Sequence, residues 1–420
     1  MDKLIIRGGK ALSGSVSVQG AKNALLPLMV SSVLRPSVVT FSPVSALKDV
    51  ILLGTILEDL GAQTSLKDGG IYCVDTRSVQ CWKPRYEHVS KMRASFLLLG
   101  SLLGRFGEAR VPLPGGCSIG SRPVQWHLEG IQKLGVDIAL EKGFVQAKVA
   151  RLQGAQIDLP YPTVGGTQNI LTVAVLSKGE TTITGAACEP EVVELCKFLV
   201  KSGAKIDGIG TRTLTIQGVD TLNMPESWCV LPDRIEALTY AVMAAITKGD
   251  LIIKNNDASL MEGPLELLQS IGVDVSFPDA TSMRVRRAGV LKAFDFESGP
   301  YPAFSTDLQS FFMALSIFCE GDSTIKETVF LNRFMHALEF IRMGANITLQ
   351  GDRATVHGGA NISGATVMAS DLRAGAALVA CALGAEGETH IRRIYHTDRG
   401  YERIEEKLAA CGADIVRVAE

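Results

Sequence analysis

The sequence predicts a mixed α/β protein assembled from six copies of one unit, and three observations carry that prediction. First, a glycine that closes an amphipathic helix and opens an alternating strand recurs six times, in "LEDLGAQTSL", "IQKLGVDIAL", "LVKSGAKIDG", "LQSIGVDVSF", "FIRMGANITL" and "LAACGADIVR". The glycines are Gly61, Gly135, Gly203, Gly272, Gly344 and Gly412, separated by 74, 68, 69, 72 and 68 residues. Glycine suits the left-handed residue that ends a helix, and six at near-constant spacing describe an architecture. Second, each unit contains one nearly all-apolar segment: "NALLPLMVSSVL", "ASFLLLGSLLG", "NILTVAVLS", "ALTYAVMAAIT", "LQSFFMALSIF" and "AGAALVACALG". A helix with no polar face must be buried on all sides. Third, 420 residues exceed what one core supports, which makes two domains the default.

The unit reads in order. After the glycine come two strands, then the apolar helix. A third strand follows a glycine–charge signal, as in "KGETTITG", "KGDLIIKN", "EGDSTIKE" and "EGETHIRR". A loop then leads into the amphipathic helix that ends at the next repeat glycine. The first unit starts irregularly: "IIRGGKALSGSVSV" is similar to "TVHGGANISGATVM" at 355–368, a strand pair of the kind that precedes the buried helix. No helix and strand come before it, whereas the C-terminal "ERIEEKLAACGADIVRV" has that helix and strand with no pair after it. Pairing of the two chain ends is the simplest closure, and it assigns the N-terminal residues to the second domain.

Composition narrows the function. With 46% hydrophobic and 20% charged residues the chain is globular, and a net charge of −2 gives no basic field for nucleic acid or acidic membranes. Nine cysteines occur singly (Cys73, Cys81, Cys117, Cys188, Cys196, Cys229, Cys319, Cys381, Cys411), with no CxxC and no Cys/His pair at zinc spacing. Reduced thiols in a cytoplasm fit that pattern. The N-terminal segment lacks an apolar run of signal-peptide length, and the longest apolar runs are too short for a bilayer. A cytoplasmic protein is expected.

Chemistry concentrates just ahead of the buried helices: Lys22 and Asn23 in "GAKNALLP", Arg93 in "KMRASF", "TVGGTQN", Asp233 in "LPDRIEAL", Asp307 in "STDLQS", and Asp371 and Arg373 in "SDLRAGA". Helix N-termini attract anions, and glycine lets ligand oxygens approach. A second set follows the third strands: Cys117 and Arg122 in "LPGGCSIGSRP", Glu189 and Glu191, Arg333 in "VFLNRF", and Arg399 in "HTDRGYER". A guanidinium near Cys117 favours its reactive thiolate. Asp233, Asp307 and Asp371 read equally as plain N-caps, and Arg333 or Arg399 as members of structural ion pairs. Taken together, Lys22, Arg93, Arg122, Arg333, Arg373 and Arg399 form a costly like-charge cluster unless an anion sits among them. That many cations imply more than one acidic group, such as phosphate plus carboxylate.

These segments, with "EPEVVE", "PAFSTDLQ", "ETVFLNRFMH" and "YHTDRGYERIEEKL", resemble the enolpyruvyl transferases through essentially the whole chain. The resemblance implies two globular domains of three repeated α/β units each, an inside-out α/β barrel arrangement around buried helices, with the active site between the domains. Residues 22–231 would form one domain, carrying the Cys117 loop, and residues 1–21 with 232–420 the other. It implies transfer of the enolpyruvyl group of phosphoenolpyruvate to the 3′-hydroxyl of UDP-N-acetylglucosamine with release of phosphate, the first committed step of peptidoglycan synthesis. That places the enzyme in cell-wall biogenesis, and so in cell shape and division, as a target of fosfomycin.

By the same resemblance Asp307 matches the base, and Cys117 the residue of acid catalysis and product release. Lys22, Arg122 and Arg399 match positions holding the phosphoenolpyruvate anion, with Lys22 and Arg399 also counted as catalytic. Arg333 and Arg373 add carboxylate compensation. Asn23 and Arg93 match residues that orient the intermediate, Asn23 at both substrates and Arg93 at the nucleotide sugar, while Pro123, Thr163, Val164, Gly165, Asp307 and Val329 match the nucleotide-sugar site. No metal or organic cofactor, no nucleic acid and no membrane is implied. Gln125 and Trp126 stand where many relatives have an acidic residue and a leucine, and Leu331 where an acidic residue is frequent. A tryptophan there either stacks on uracil or narrows the pocket. A shikimate-specific sibling shares the chemistry, but "GGC" and "GAKNALLP" argue against it. Action on another nucleotide and a catalytically silent binding or regulatory paralogue are the alternatives; a silent one would be expected to lose some of Lys22, Cys117, Asp307 and Arg399, all of which are present.

Overall fold

The six apolar segments are all helical in the computed structural model, which describes residues 2–114, 124–330 and 332–419. They form the helices Lys22–Ser31, Leu98–Phe106, Val164–Ala174, Arg234–Ile246, Gln309–Ile317 and Leu372–Gly384. Every residue of Arg234–Ile246 and Gln309–Ile317 is buried. In Lys22–Ser31 only Asn23 is exposed. The repeat glycines all have positive φ, from 88° at Gly135 to 105° at Gly272. L-residues rarely adopt that conformation, which is why the glycine is kept in every unit.

Among the described residues six open sheets surround these helices, five of four strands and one of three. The Asn346–Gln350 and Arg353–His357 hairpin shows the plan. Its second strand pairs antiparallel with Asp322–Lys326, and the short strand Phe296–Glu297 pairs parallel on the far side. That short strand is absent from the three-strand unit expected from sequence. It is two or three residues long in four sheets (Gln156–Asp158, Ser227–Cys229, Phe296–Glu297, Thr366–Met368), too short to leave an alternating pattern.

The N-terminal pattern also differs from expectation. Asp2–Arg7 and Ser13–Ser17 are not partners of each other. Asp2–Arg7 lies antiparallel between Glu388–Arg392 and Asp414–Ala419, whereas Ser13–Ser17 runs parallel to Asp250–Lys254 in another sheet. The similar segment near the C-terminus behaves likewise: Arg353–His357 and Thr366–Met368 belong to different sheets. Alternation along a strand sets its two faces but not its neighbour, so a hairpin and two separate strands read alike.

By density of contacts the chain divides into two compact units. One contains the N-terminal segment through Gln19 and the chain from Pro232 onward; the other holds the described residues from Gly20 to Leu231. Each has its own apolar core. In the first, the helices Arg234–Ile246, Gln309–Ile317 and Leu372–Gly384 pack on one another. In the second, Leu98–Phe106 packs against both Lys22–Ser31 and Val164–Ala174. Gly100 makes the latter approach possible, because a Cβ there would lie 2.5 Å from Asn169 Oδ1 and 2.6 Å from its carbonyl oxygen. No helix among the described residues is long and apolar enough to cross a membrane.

Candidate functional site

Three aspartates ahead of buried helices look alike in sequence, and the structure separates them. Asp233 is an N-cap, accepting from the amides of Ile235 (2.9 Å) and Glu236 (3.1 Å). Asp371 caps its helix in the same way, through Arg373 N (3.0 Å) and Ala374 N (3.1 Å). Asp307 does not cap. Ser305 takes that role by accepting from Asp307 N, and the Asp307 carboxylate instead meets two arginines. Arg333 Nη2 donates to Oδ1 at 2.7 Å and Arg373 Nη2 to Oδ2 at 3.1 Å. The guanidinium side chains are 4% and 5% exposed and the carboxylate 27%, so Asp307 lies outermost. The like charges of Arg333 and Arg373 thus share an anion supplied by the chain itself, as well as any that a ligand would bring.

Each arginine is fixed from behind. Arg333 Nη1 donates to Thr306 Oγ1 (3.0 Å), which donates to Glu327 Oε2 (2.8 Å). Glu327 is fully buried, and its other oxygen accepts from the amides of Val329 and Phe330. Those bonds position the turn bearing Val329. Arg373 Nη1 donates to the Tyr401 hydroxyl (3.2 Å), which pairs with Thr239 Oγ1 (2.8 Å). Thr239 donates its own proton to Ile235 O, so Tyr401 must be the donor to Thr239, leaving a lone pair for Arg373. Burial opposes the charge on Arg373, but Asp307, Tyr401 and Asp233 outweigh it and hold the guanidinium above its usual value. Burial pushes the Tyr401 hydroxyl up to about 12 against the pull of Arg373. Arg399 closes the segment Ile394–Arg399, and His396 beside it is lowered first by burial and then by that guanidinium.

In the unit from Gly20 to Leu231, Lys22 opens its helix and is buried, with Nζ 2.9 Å from the buried carboxylate of Asp49. Asn23 is exposed. Arg93 begins the segment Arg93–Leu97. Its charge, after burial, is the second cause that lowers His127 to about 3. His127 is therefore neutral, and its tautomer is fixed. Asn169 Oδ1 accepts from Gly100 N, so its amide nitrogen is the donor both to Phe96 O and to His127 Nδ1 (3.2 Å). The imidazole proton is left on Nε2. Thr163 caps the next helix through Gly166 N, and Val164 and Gly165 form its first turn. Glu189 precedes the helix Pro190–Lys201, in whose first turn Glu191 is buried. Cys117, Arg122, Pro123 and Leu331 lie outside the described residues. Among the described residues no group of three His, Cys, Asp or Glu side chains is arranged to hold a metal ion.

Sequence reasoning brought forward Asp307, Arg333 and Arg373, which the fold brings into contact, but it missed their supports. Glu327 and Tyr401 lie within the quoted segments "ETVFLNRFMH" and "YHTDRGYERIEEKL" and were not singled out. Asp49 carried a weak signal, a carboxylate on the core-facing side of an amphipathic helix. His127 carried none beyond its place beside Trp126, and Asn169 only its place at the end of "TVGGTQN".

Comparison with known proteins adds kinship to this geometry. Residues 6–408 match the family model for EPSP synthase (3-phosphoshikimate 1-carboxyvinyltransferase). The chain is 48% identical over 420 residues, 100% of both chains, to a protein of Geotalea uraniireducens named UDP-N-acetylglucosamine 1-carboxyvinyltransferase. Among solved structures it is similar to the enolpyruvyl transferase NikO from Streptomyces tendae, with a TM-score of 0.92 and 26% identity, covering 100% of this chain and 99% of that one. An EPSP synthase from Acinetobacter baumannii shares the fold, with a TM-score of 0.77 at 17% identity over 100% of both chains.

Proposed function

We infer the reaction from a plain premise, that the chain belongs to the EPSP synthase (3-phosphoshikimate 1-carboxyvinyltransferase) family. Within that family its acceptor is UDP-N-acetylglucosamine, onto whose 3′-hydroxyl it transfers the enolpyruvyl group of phosphoenolpyruvate. One observation carries the choice of acceptor: 48% identity over the full length of a protein named for that nucleotide sugar, against 17% to an EPSP synthase.

The chemistry asks for little beyond proton transfer and charge compensation. The hydroxyl adds to C2 of phosphoenolpyruvate while C3 gains a proton; then phosphate leaves with a C3 proton, restoring the double bond. We assign the base to Asp307, whose carboxylate is outermost in its cluster and can accept the hydroxyl proton. Arg333 and Arg373, held by Thr306 and Tyr401, compensate the substrate carboxylate. Cys117 is assigned acid catalysis at C3. Lys22, Arg122 and Arg399 hold the phosphate. Asn23 and Arg93 orient the adduct, and Pro123, Thr163, Val164, Gly165 and Val329 bind the nucleotide sugar. The soluble, cytoplasmic setting in which both substrates occur is part of the same proposal.

Release of phosphate from phosphoenolpyruvate, measured with UDP-N-acetylglucosamine, other nucleotide sugars and shikimate 3-phosphate in parallel, tests the assignment. Turnover with the first acceptor is expected. Turnover only with another acceptor, or with none, overturns it.

A further inference from the structure

The chain between Arg393 and Glu405 carries two residues of the site on a strained backbone. Arg399 closes the short helical segment Ile394–Arg399, and Tyr401, two positions on, holds Arg373. Two residues of this stretch are left-handed without being glycine: Arg393 has φ 57° and Arg403 φ 46°. L-residues in that conformation are costly, and they persist where the surrounding contacts over-determine the backbone. Within the stretch, Gly400 N and Tyr401 N donate to Thr397 O at 3.1 and 3.0 Å.

A further restraint comes from the last strand. Arg417 lies in Asp414–Ala419, opposite Leu4 of the strand Asp2–Arg7, so the pairing of the chain ends carries it to this turn. Its guanidinium forks onto Asp398, with Nη2 donating to Oδ1 at 2.6 Å and Nη1 to Oδ2 at 3.3 Å. On its other side Nε donates to Glu405 Oε1 at 2.7 Å and Nη2 to Oε2 at 3.2 Å. Asp2 is a third and looser partner, its Oδ2 3.4 Å from Nη1. We infer that Arg417 is a positioning residue of the transfer reaction: by clamping Asp398 to Glu405 it fixes the turn between them, which sets Arg399 against the phosphate of phosphoenolpyruvate and Tyr401 against Arg373. The inference rests on the assignment of Arg399 to that phosphate.

The arrangement differs from an ordinary surface ion pair, whose partners are well hydrated and contribute little. The side chains of Asp398 and Glu405 are only 15% and 10% exposed, and the guanidinium meets both oxygens of each. The clamp also straddles the left-handed Arg403, with Asp398 before it and Glu405 after. Without the guanidinium, two poorly hydrated carboxylates would repel each other, and the turn between them would open. Asp398 is joined to Arg399 by one planar peptide, which passes any displacement directly to the Arg399 Cα. Lysine is no substitute here, because an ammonium is a point donor and cannot hold two carboxylates in the geometry of a fork.

The test uses the full chain, with phosphoenolpyruvate, UDP-N-acetylglucosamine and inorganic phosphate as probes. Arg417→Lys keeps the charge and loses the fork. It should raise the KM for phosphoenolpyruvate about tenfold and weaken inhibition by inorganic phosphate to match, with the KM for UDP-N-acetylglucosamine within about twofold of the parent. Glu405→Leu keeps the pair of Arg417 with Asp398 and removes the other leg of the clamp. By charge alone it would favour an anion, so a rise in the same two constants reports geometry. The double variant should lose no more than the larger single one, because either change releases the clamp. Asp2→Asn, at the half-exposed partner, should match the parent. Arg399→Lys is the reference for the phosphate contact. If it raises both constants while Arg417→Lys and Glu405→Leu leave them unchanged, the inference is overturned and the assignment of Arg399 stands. An equal rise in both KM values, or losses that simply add in the double variant, also overturns it. If Arg399→Lys changes neither constant, the assignment and the inference fall together. Should Arg417→Lys not fold, Glu405→Leu decides by the same two constants.

Discussion

Glu194→Gln should stabilise the unit from Gly20 to Leu231, and only above acidic pH. The Glu194 side chain sits in the helix Pro190–Lys201 and is buried. One oxygen accepts from Trp228 Nε1 (3.0 Å) and Leu231 N (2.9 Å), while Oε2 is buried without a partner. Burial pushes the carboxyl from 4.5 up to about 7; the two hydrogen bonds oppose that rise and Glu191, one turn earlier, adds to it. In the unfolded chain the group ionises near 4.5, while the native state keeps its proton until about 7. Over that window the native state binds more protons, so stability falls as pH rises, then levels off above it. The deficit is about 2.5 pH units, or about 3 kcal/mol at 1.36 kcal/mol per unit. A glutamine keeps the shape and accepts the same two bonds, and it replaces the unpaired oxygen with an unpaired amide group without adding a charge. Urea unfolding at pH 5, 6, 7 and 8, followed by tryptophan fluorescence, measures the effect. All three tryptophans, Trp82, Trp126 and Trp228, lie in this unit, so the signal reports it alone. The gain of Gln over Glu should be small at pH 5 and approach about 3 kcal/mol at pH 8. A difference that does not vary with pH refutes the argument, because it means that Glu194 does not titrate in that window.

Two further perturbations address the reaction. Asp307→Asn should lower turnover by about two orders of magnitude or more, since an amide cannot take the hydroxyl proton, while calorimetry shows nucleotide-sugar affinity largely kept. Turnover near the parent rate would place the base elsewhere. If Cys117 holds the role proposed for it, brief fosfomycin treatment should label it, whereas neutral iodoacetamide should also label Cys229, an exposed thiol. Cys196, Cys319 and Cys381 should stay unlabelled by both, because burial pushes each thiol up to about 12. Peptide mass mapping decides, and fosfomycin found mainly on Cys229 would remove Cys117 from its role.

Among the other cysteines Cys188, Cys196, Cys319, Cys381 and Cys411 are buried, as small apolar side chains are. Cys73 and Cys81 are only partly buried and Cys229 is exposed. For Cys229 the reason is local. Ser227–Cys229 is a three-residue strand at the edge of its sheet, and a strand that short gives no alternation from which to read its faces.

What the sequence determined by itself was whatever one stretch of chain can encode. A helix with no polar side must be buried, and a helix end held at φ near 100° favours glycine; both are local rules, and they located all six helices and all six repeat glycines. Tertiary structure alone decided which of three similar aspartates stays out of capping, because Ser305 supplies the cap that would otherwise claim Asp307. It also decided the partners: Arg373 reaches Asp307 across 66 positions, Tyr401 reaches Thr239 across 162, and Lys22 reaches Asp49 across 27. The first two pairings follow from the packing of one repeat against another, and the third from the packing of two helices within the first repeat. Burial of the apolar helices fixes that packing, and near-identical local patterns in each repeat carry no record of which neighbour a charged side chain will meet.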